Sequence, residues 1–264
     1  GPTIYMTNKP NLIGKFCLKQ LKIPNDILSQ LLDSIRYNNV IRDKISVLEQ
    51  KIEEYQNDNA ENENKINNEK RMPPEIREAE NQVKKLINEL KSISLDEIWI
   101  PNSISHIKKW VSKNILDKVL NEENMPFRSQ IYEDDVLAIM KLTNIDDIWK
   151  LLLILGIGVF DVNVNKDYLE IMKKLADNQR LYLIIACDDY IYGTNYQFCH
   201  GFIGKDLDNI SQEKLIQAIG RVGRNSIQKD YTVRFRNIDN IKKIFTIQKH
   251  KPEVINMNKL FITE

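Results

Sequence analysis

Two short stretches hold the residue types that could act on an anion. In QAIGRVGR, Gln217, Arg221 and Arg224 fall at i, i+4 and i+7, the spacing of one helix face. Two guanidiniums on one face form a fork suited to phosphate oxygens. Gly220 and Gly223 sit among them, although each weakens a helix interior by about 1 kcal/mol relative to Ala. Their missing side chains predict clearance for an anion or a second surface, with Leu215, Ile219 and Val222 turned to the core. A solvated arginine pair at a helix end is the plainer reading, but it leaves the glycines unexplained.

The second stretch is CDDYIYGTN, 187–195. Cys187, Asp188 and Asp189 leave an apolar run, and Gly193-Thr194-Asn195 follows in a loop. A polar turn with Asn195 in a left-handed conformation accounts for the loop without any function. In open parallel sheets, however, ligands collect beyond the carboxyl ends of strands. Both stretches are expected at that end.

The elements that must position them are readable from periodicity. TIYMTN (3–8) reads as a strand, and LIGKFCLKQL as the helix after it. From Asn38, the residues Ile41, Ile45, Leu48, Ile52 and Tyr55 recur at three and four, a heptad seam. A polar, asparagine-rich stretch with two prolines follows. The rhythm then returns in Ile76, Ala79, Val83, Leu86, Leu90 and Ile93. Two seams of matched length predict an antiparallel hairpin over about 38–93, with a dimerising coiled coil as the competing reading. SISHIKKWVSKNILDKVL, DDVLAIMKL and DDIWKLLLIL read as further helices.

Beyond these, GIGVFDV, LYLIIAC, QFCHGFIG and YTVRFR are strand-like and alternate with KDYLEIMKKLADNQ and SQEKLIQAI, which are helical. Ser211 is the expected cap of the last helix. Near-continuous apolar strands separated by helices predict βαβ units and a parallel sheet. The expected organisation is an α/β domain made of 3–25 and 151–264, interrupted by a helical insertion over 26–150.

Composition sets the outer limits. The chain has 264 residues, 28% of them charged, and a net charge of +1, so anion binding must come from local patches rather than a global field. The stretch from Arg221 to Lys251 is such a patch, and a solvated surface is its alternative. Tyr192, Tyr196 and Phe198 are candidates for stacking on bases. Three cysteines without a CxxC pair predict a reducing intracellular compartment. No apolar run approaches the ~20 residues of a membrane span. Gly1-Pro2 reads as the remnant of a cleaved purification tag, so a longer parent chain is expected. Abundant Asn, Lys and Ile fit an AT-rich genome such as that of a large DNA virus.

Gln217-Ala-Ile-Gly-Arg-Val-Gly-Arg224 resembles motif VI (Q-x-x-G-R-x-G-R) of superfamily 2, or DExD/H-box, helicases. Cys187-Asp188-Asp189-Tyr-Ile-Tyr-Gly193-Thr-Asn195 resembles motif V, and TIYMTN would be the motif IV strand. The order and separation of the motifs agree, and the resemblance covers about half of the chain. It implies a C-terminal RecA-like domain whose Arg221 and Arg224 are arginine fingers toward ATP, with Gln217, Gly220, Gly193 and Asn195 around the nucleotide. Cys187, Asp188, Thr7 and Asn8 would then lie along a DNA or RNA strand. Cys187 replaces the usual Thr of the motif, which weakens its bond to a phosphate.

No phosphate loop or DExD/H box occurs in the chain, and YEDD (132–135) precedes a helix instead of following a strand. The resemblance therefore implies that ATP and Mg²⁺ are held mainly by an N-terminal RecA-like domain outside this sequence, with neither tightly bound here and no metal site of its own. This chain alone is expected to be inactive, and its helical hairpin is a candidate for a protein partner.

Overall fold

A computed structural model describes residues 1–62, 73–112, 127–161, 165–187, 196–223, 230–246, 251–252, 255–256 and 259. Its frame is α/β. The strands β1 (Thr3–Met6), β2 (Ile157–Phe160), β3 (Leu183–Ala186), β4 (His200–Ile203) and β5 (Thr232–Phe235) form one five-stranded parallel sheet, ordered β2-β3-β1-β4-β5. The first strand in the chain is thus central. Ile4 pairs with Ile184 on one side and with Gly201 on the other.

Each strand is only four residues long, and what keeps the short ladders together is burial. Ile4, Met6, Val159, Ile184, Ile185, Ala186 and Ile203 are all buried. The run LIIA of β3 is covered on both faces, as a central parallel strand requires. β5 is the exception: Thr232 and Arg234 are exposed on this edge.

Among the described residues, helices make up most of the remainder. They are α1 (Pro10–Gln20), α2 (Asn25–Asn62), α3 (Pro74–Glu89), α4 (Ile104–Trp110), α5 (Glu133–Met140), α6 (Asp147–Ile154), α7 (Lys166–Asp177), α8 (Gln212–Ile219) and α9 (Ile238–Phe245). α2 begins well before the seam read from Asn38, and Leu31 and Ile35 extend its buried stripe toward the N-terminus. Asn38 lies buried and clasps the backbone of Lys91: its amide donates to the Lys91 carbonyl at 2.8 Å, and its Oδ1 accepts the Lys91 N–H at 2.9 Å. Lys44, Val47 and Leu48 of α2 line a common groove with Gln82, Lys85, Leu86 and Glu89 of α3. Much of the asparagine-rich stretch between them falls outside the described residues.

Two helices are shorter than their periodicity suggests. α3 ends at Glu89, where Leu90 turns extended (φ −62°, ψ 128°), so Leu90 and Ile93 of the expected seam are not helical. Ser103 caps α4 by accepting the His106 N–H, but the helix ends at Trp110, where Val111 turns extended (φ −101°, ψ 135°). A β-branched residue followed by Ser favours that exit. The expected continuation over 113–120 lies outside the described residues.

The chain divides into two compact units. The first comprises Gly1–Ile13, Val159–Val162 and Tyr182–Glu264; the second comprises Gly14–Gly158 and Asn163–Leu181. The first contains most of the sheet with α8 and α9. The second is helical, with Leu151, Leu152, Leu153, Leu155, Met172 and Leu175 in its core. Among the described residues, no helix is long and apolar enough to cross a membrane.

Candidate functional site

At the carboxyl end of β1, the chain is fixed by a residue that the sequence patterns did not single out. Asp206, in the turn after β4, accepts the Thr7 hydroxyl at 2.7 Å and the Asn8 N–H at 2.8 Å through the same oxygen. Its carbonyl accepts the Asn8 amide at 2.7 Å. The Thr7 hydroxyl also accepts the Lys9 N–H at 3.0 Å, and Thr7 is buried. Asn8 is exposed.

Gly204 makes this clasp possible. Its N–H bonds to the Met6 carbonyl at 2.8 Å, and a Cβ there would lie 2.6 Å from both that oxygen and the Asp206 carboxylate. The signal was present in GKDLDN, where an acid lies just beyond a strand, but the pairing crosses 199 residues and no local pattern shows it.

Cys187 follows β3 at the same end, buried beside Ala186, whose carbonyl accepts the Thr7 N–H at 2.9 Å. Thr7, Asn8 and Cys187 are therefore gathered on two adjacent strand ends. Asp188, Asp189, Gly193 and Asn195 lie outside the described residues.

The arginine stretch falls elsewhere, and two expectations about it need correction. α8 opens at Ser211, whose hydroxyl accepts the Lys214 N–H, and it ends at Ile219, with Gly220 as its cap. Helical spacing therefore does not extend through Arg221, and Gln217 and Arg221 do not share a continuous helix face. The buried face is Leu215 and Ala218, with Ile219 and Val222 half-buried.

The second correction concerns the end of the sheet. After α8, Val222 pairs with Phe198 in an isolated parallel bridge, and Phe198 precedes β4. The Phe198 N–H donates to the Arg221 carbonyl at 3.2 Å, and the Gly223 N–H donates to the Phe198 carbonyl at 2.9 Å. The segment thus runs along the amino ends of β4 and β5, not their carboxyl ends. The reason is topological: a helix crossing back over a parallel sheet returns the chain to the amino end, where the next parallel strand must start.

Each glycine also has a backbone role of its own. Gly223 has φ +80°, a left-handed conformation, and a Cβ would meet the Tyr231 ring at 3.2 Å. Gly220 is right-handed, with φ −63°, and serves at a helix terminus where its cost to the interior does not apply. Arg221 is half-buried, and Gln217 is exposed. Arg224 lies outside the described residues, as does much of the basic stretch that follows it.

YEDD is an N-terminal cap. Asp135 accepts the Tyr132 N–H at 3.2 Å and pairs with Arg180 at 2.5 Å, opening α5. Among the described residues, no group of three or more His, Cys, Asp or Glu converges to hold a metal ion. The cysteines are free thiols, and burial pushes Cys17 up to about 11 and raises Cys199. No protein-family model matches the chain, and no curated protein matches it.

Proposed function

We propose that this chain is the C-terminal motor domain of an ATP-dependent nucleic-acid helicase or translocase, with a RecA-like sheet and a helical insertion carrying an antiparallel coiled-coil hairpin. Arg221 and Arg224 act as arginine fingers on ATP held by an N-terminal RecA-like domain. Gln217 and Gly220, with Gly193 and Asn195, belong to the nucleotide side. Thr7, Asn8, Cys187 and Asp188 belong to the strand of DNA or RNA.

The observation that carries the reading is the Phe198–Val222 bridge. It ties Val222, between Arg221 and Gly223, to Phe198 just before β4, three residues past Asn195 in the sequence. The bridge fixes the backbone on both sides of Val222, through the Arg221 carbonyl and the Gly223 N–H, and an arginine finger needs a backbone positioned in this way. The Thr7–Asp206 clasp at the other end fixes the loop after β1 in the same way. Separate ends for nucleotide and strand suit a motor that couples one to the other.

The test is ATP hydrolysis by the parent protein containing both motor halves. Hydrolysis stimulated by single-stranded nucleic acid supports the reading. Absence of a phosphate loop and DExD/H box from the parent, with no hydrolysis, refutes it. In that case the second reading applies, a scaffold that binds a protein through α2 and α3. Exposed Val47 and Ile87 on those helices favour it.

A further inference from the structure

The helical unit contains a cavity built around two cations whose donors the surrounding protein leaves partly unused. It measures about 220 Å³ and is lined by Asn39, Arg42 and Asp43 of α2, by residues 141–145 between α5 and α6, and by Lys150 of α6. Lys150 is only 1% exposed. Its ammonium has three protons to donate, and Asn39 Oδ1, at 2.8 Å, is the acceptor it finds among the described residues. Arg42 Nε is buried and has no acceptor among the described residues.

Two carboxylates stand near these cations, and neither forms an ion pair with them among the described residues. Asp43 is exposed on α2. Asp147 takes the Asn39 amide on one oxygen at 2.9 Å, and its other oxygen lies 3.7 Å from Arg36 Nε. Burial lowers the proton affinity of Lys150 despite both carboxylates, and the neighbouring Arg42 lowers it further. Arg42 is lowered by burial as well. Two desolvated cations sharing one polar cavity are costly unless a counter-charge joins them.

We infer that this cavity is an oxyanion site, in which a phosphate-class group binds between Lys150 and Arg42. The guanidinium offers a directional donor, and the ammonium a point charge, a combination suited to a tetrahedral oxyanion. Thr143 and Asn144 add polar lining, and exposed Lys141 marks the rim. Water, at roughly 30 Å³ per molecule, also fits the space but brings no charge. The anion comes either from free phosphate or from a phosphodiester of a nucleic-acid backbone. The site stands independently of the motor reading, because its residues lie in the helical unit.

The experiment is thermal unfolding of the whole chain in inorganic phosphate against chloride at matched ionic strength. The wild type is expected to gain about 5 °C or more when phosphate exceeds its Kd a hundredfold. Lys150→Met is expected to gain nothing, and without phosphate to unfold at or above the wild-type temperature, because a desolvated charge has been removed. Should that variant fail to fold, Arg42→Gln takes its place, with line broadening of the phosphate ³¹P signal as the readout.

A second arm measures binding of a fluorescent single-stranded oligonucleotide. If the source is a backbone phosphate, the variants weaken binding and reduce the salt slope by about 1. If it is free phosphate, oligonucleotide binding is unmoved while the phosphate shift is lost. The inference is overturned if neither ligand binds the wild type, or if the variants respond to both as the wild type does.

Discussion

Val222 and Phe198 lie side by side in a parallel bridge, with the Arg221 carbonyl and the Gly223 N–H each bonded to the Phe198 backbone. This contact places the arginine segment on the amino edge of the sheet, and it depends on the chain being able to turn at Gly223.

Gly223→Ala is expected to destabilise the protein by about 1–3 kcal/mol, because Ala at φ +80° is strained and its methyl meets the Tyr231 ring. Gly220→Ala should stay within about 1 kcal/mol of wild type, since its backbone is right-handed and the nearest obstacle, the Ile216 carbonyl, lies at 3.2 Å. Denaturant midpoints for the two variants check this. Equal losses would mean that both glycines serve the same purpose.

Asp206→Ala should cost about 1–3 kcal/mol, because it strands the Thr7 hydroxyl and the Asn8 N–H, which share one carboxylate oxygen. In a double-mutant cycle with Thr7→Val, the coupling should reach at least about 0.5 kcal/mol. Additive effects within error would remove the clasp from the account.

The helix and strand types were legible because periodicity is a local property. The 3.6-residue pattern of KDYLEIMKKL and the unbroken apolar run LIIA each survive in the fold as α7 and β3. The end of α8 was legible too, since the helical reading of SQEKLIQAI stops at Ile219; what was not legible is the bridge to Phe198 that takes Arg221 and Val222 out of helical spacing. A spacing argument carried past a helix end assigns faces that do not exist. The Asp206 clasp was invisible for a related reason, since it joins a turn after β4 to the end of β1. Such long-range pairs follow from strand order, and the central place of β1 appears only when the sheet is assembled.

Cys17 gives a pH prediction. Burial holds its thiol up to about 11 against an ordinary 9.0. At pH 8 the thiolate fraction is therefore about 100-fold below that of an ordinary thiol, and alkylation should be slowed in proportion. The rate should keep rising through pH 10, with a midpoint near 11. The folded state favours the protonated thiol, so this group's contribution to stability is full below pH 9 and is lost as pH rises toward 11. An alkylation midpoint near 9.0 would show that Cys17 is solvated.

The most direct measurement is single-turnover ATP hydrolysis by the parent protein carrying Arg221→Ala, alongside its affinity for ATP. Hydrolysis should fall by about 10³-fold or more while ATP binding changes little, because an arginine finger acts on charge that develops in the transition state. Hydrolysis at the wild-type rate would contradict that role.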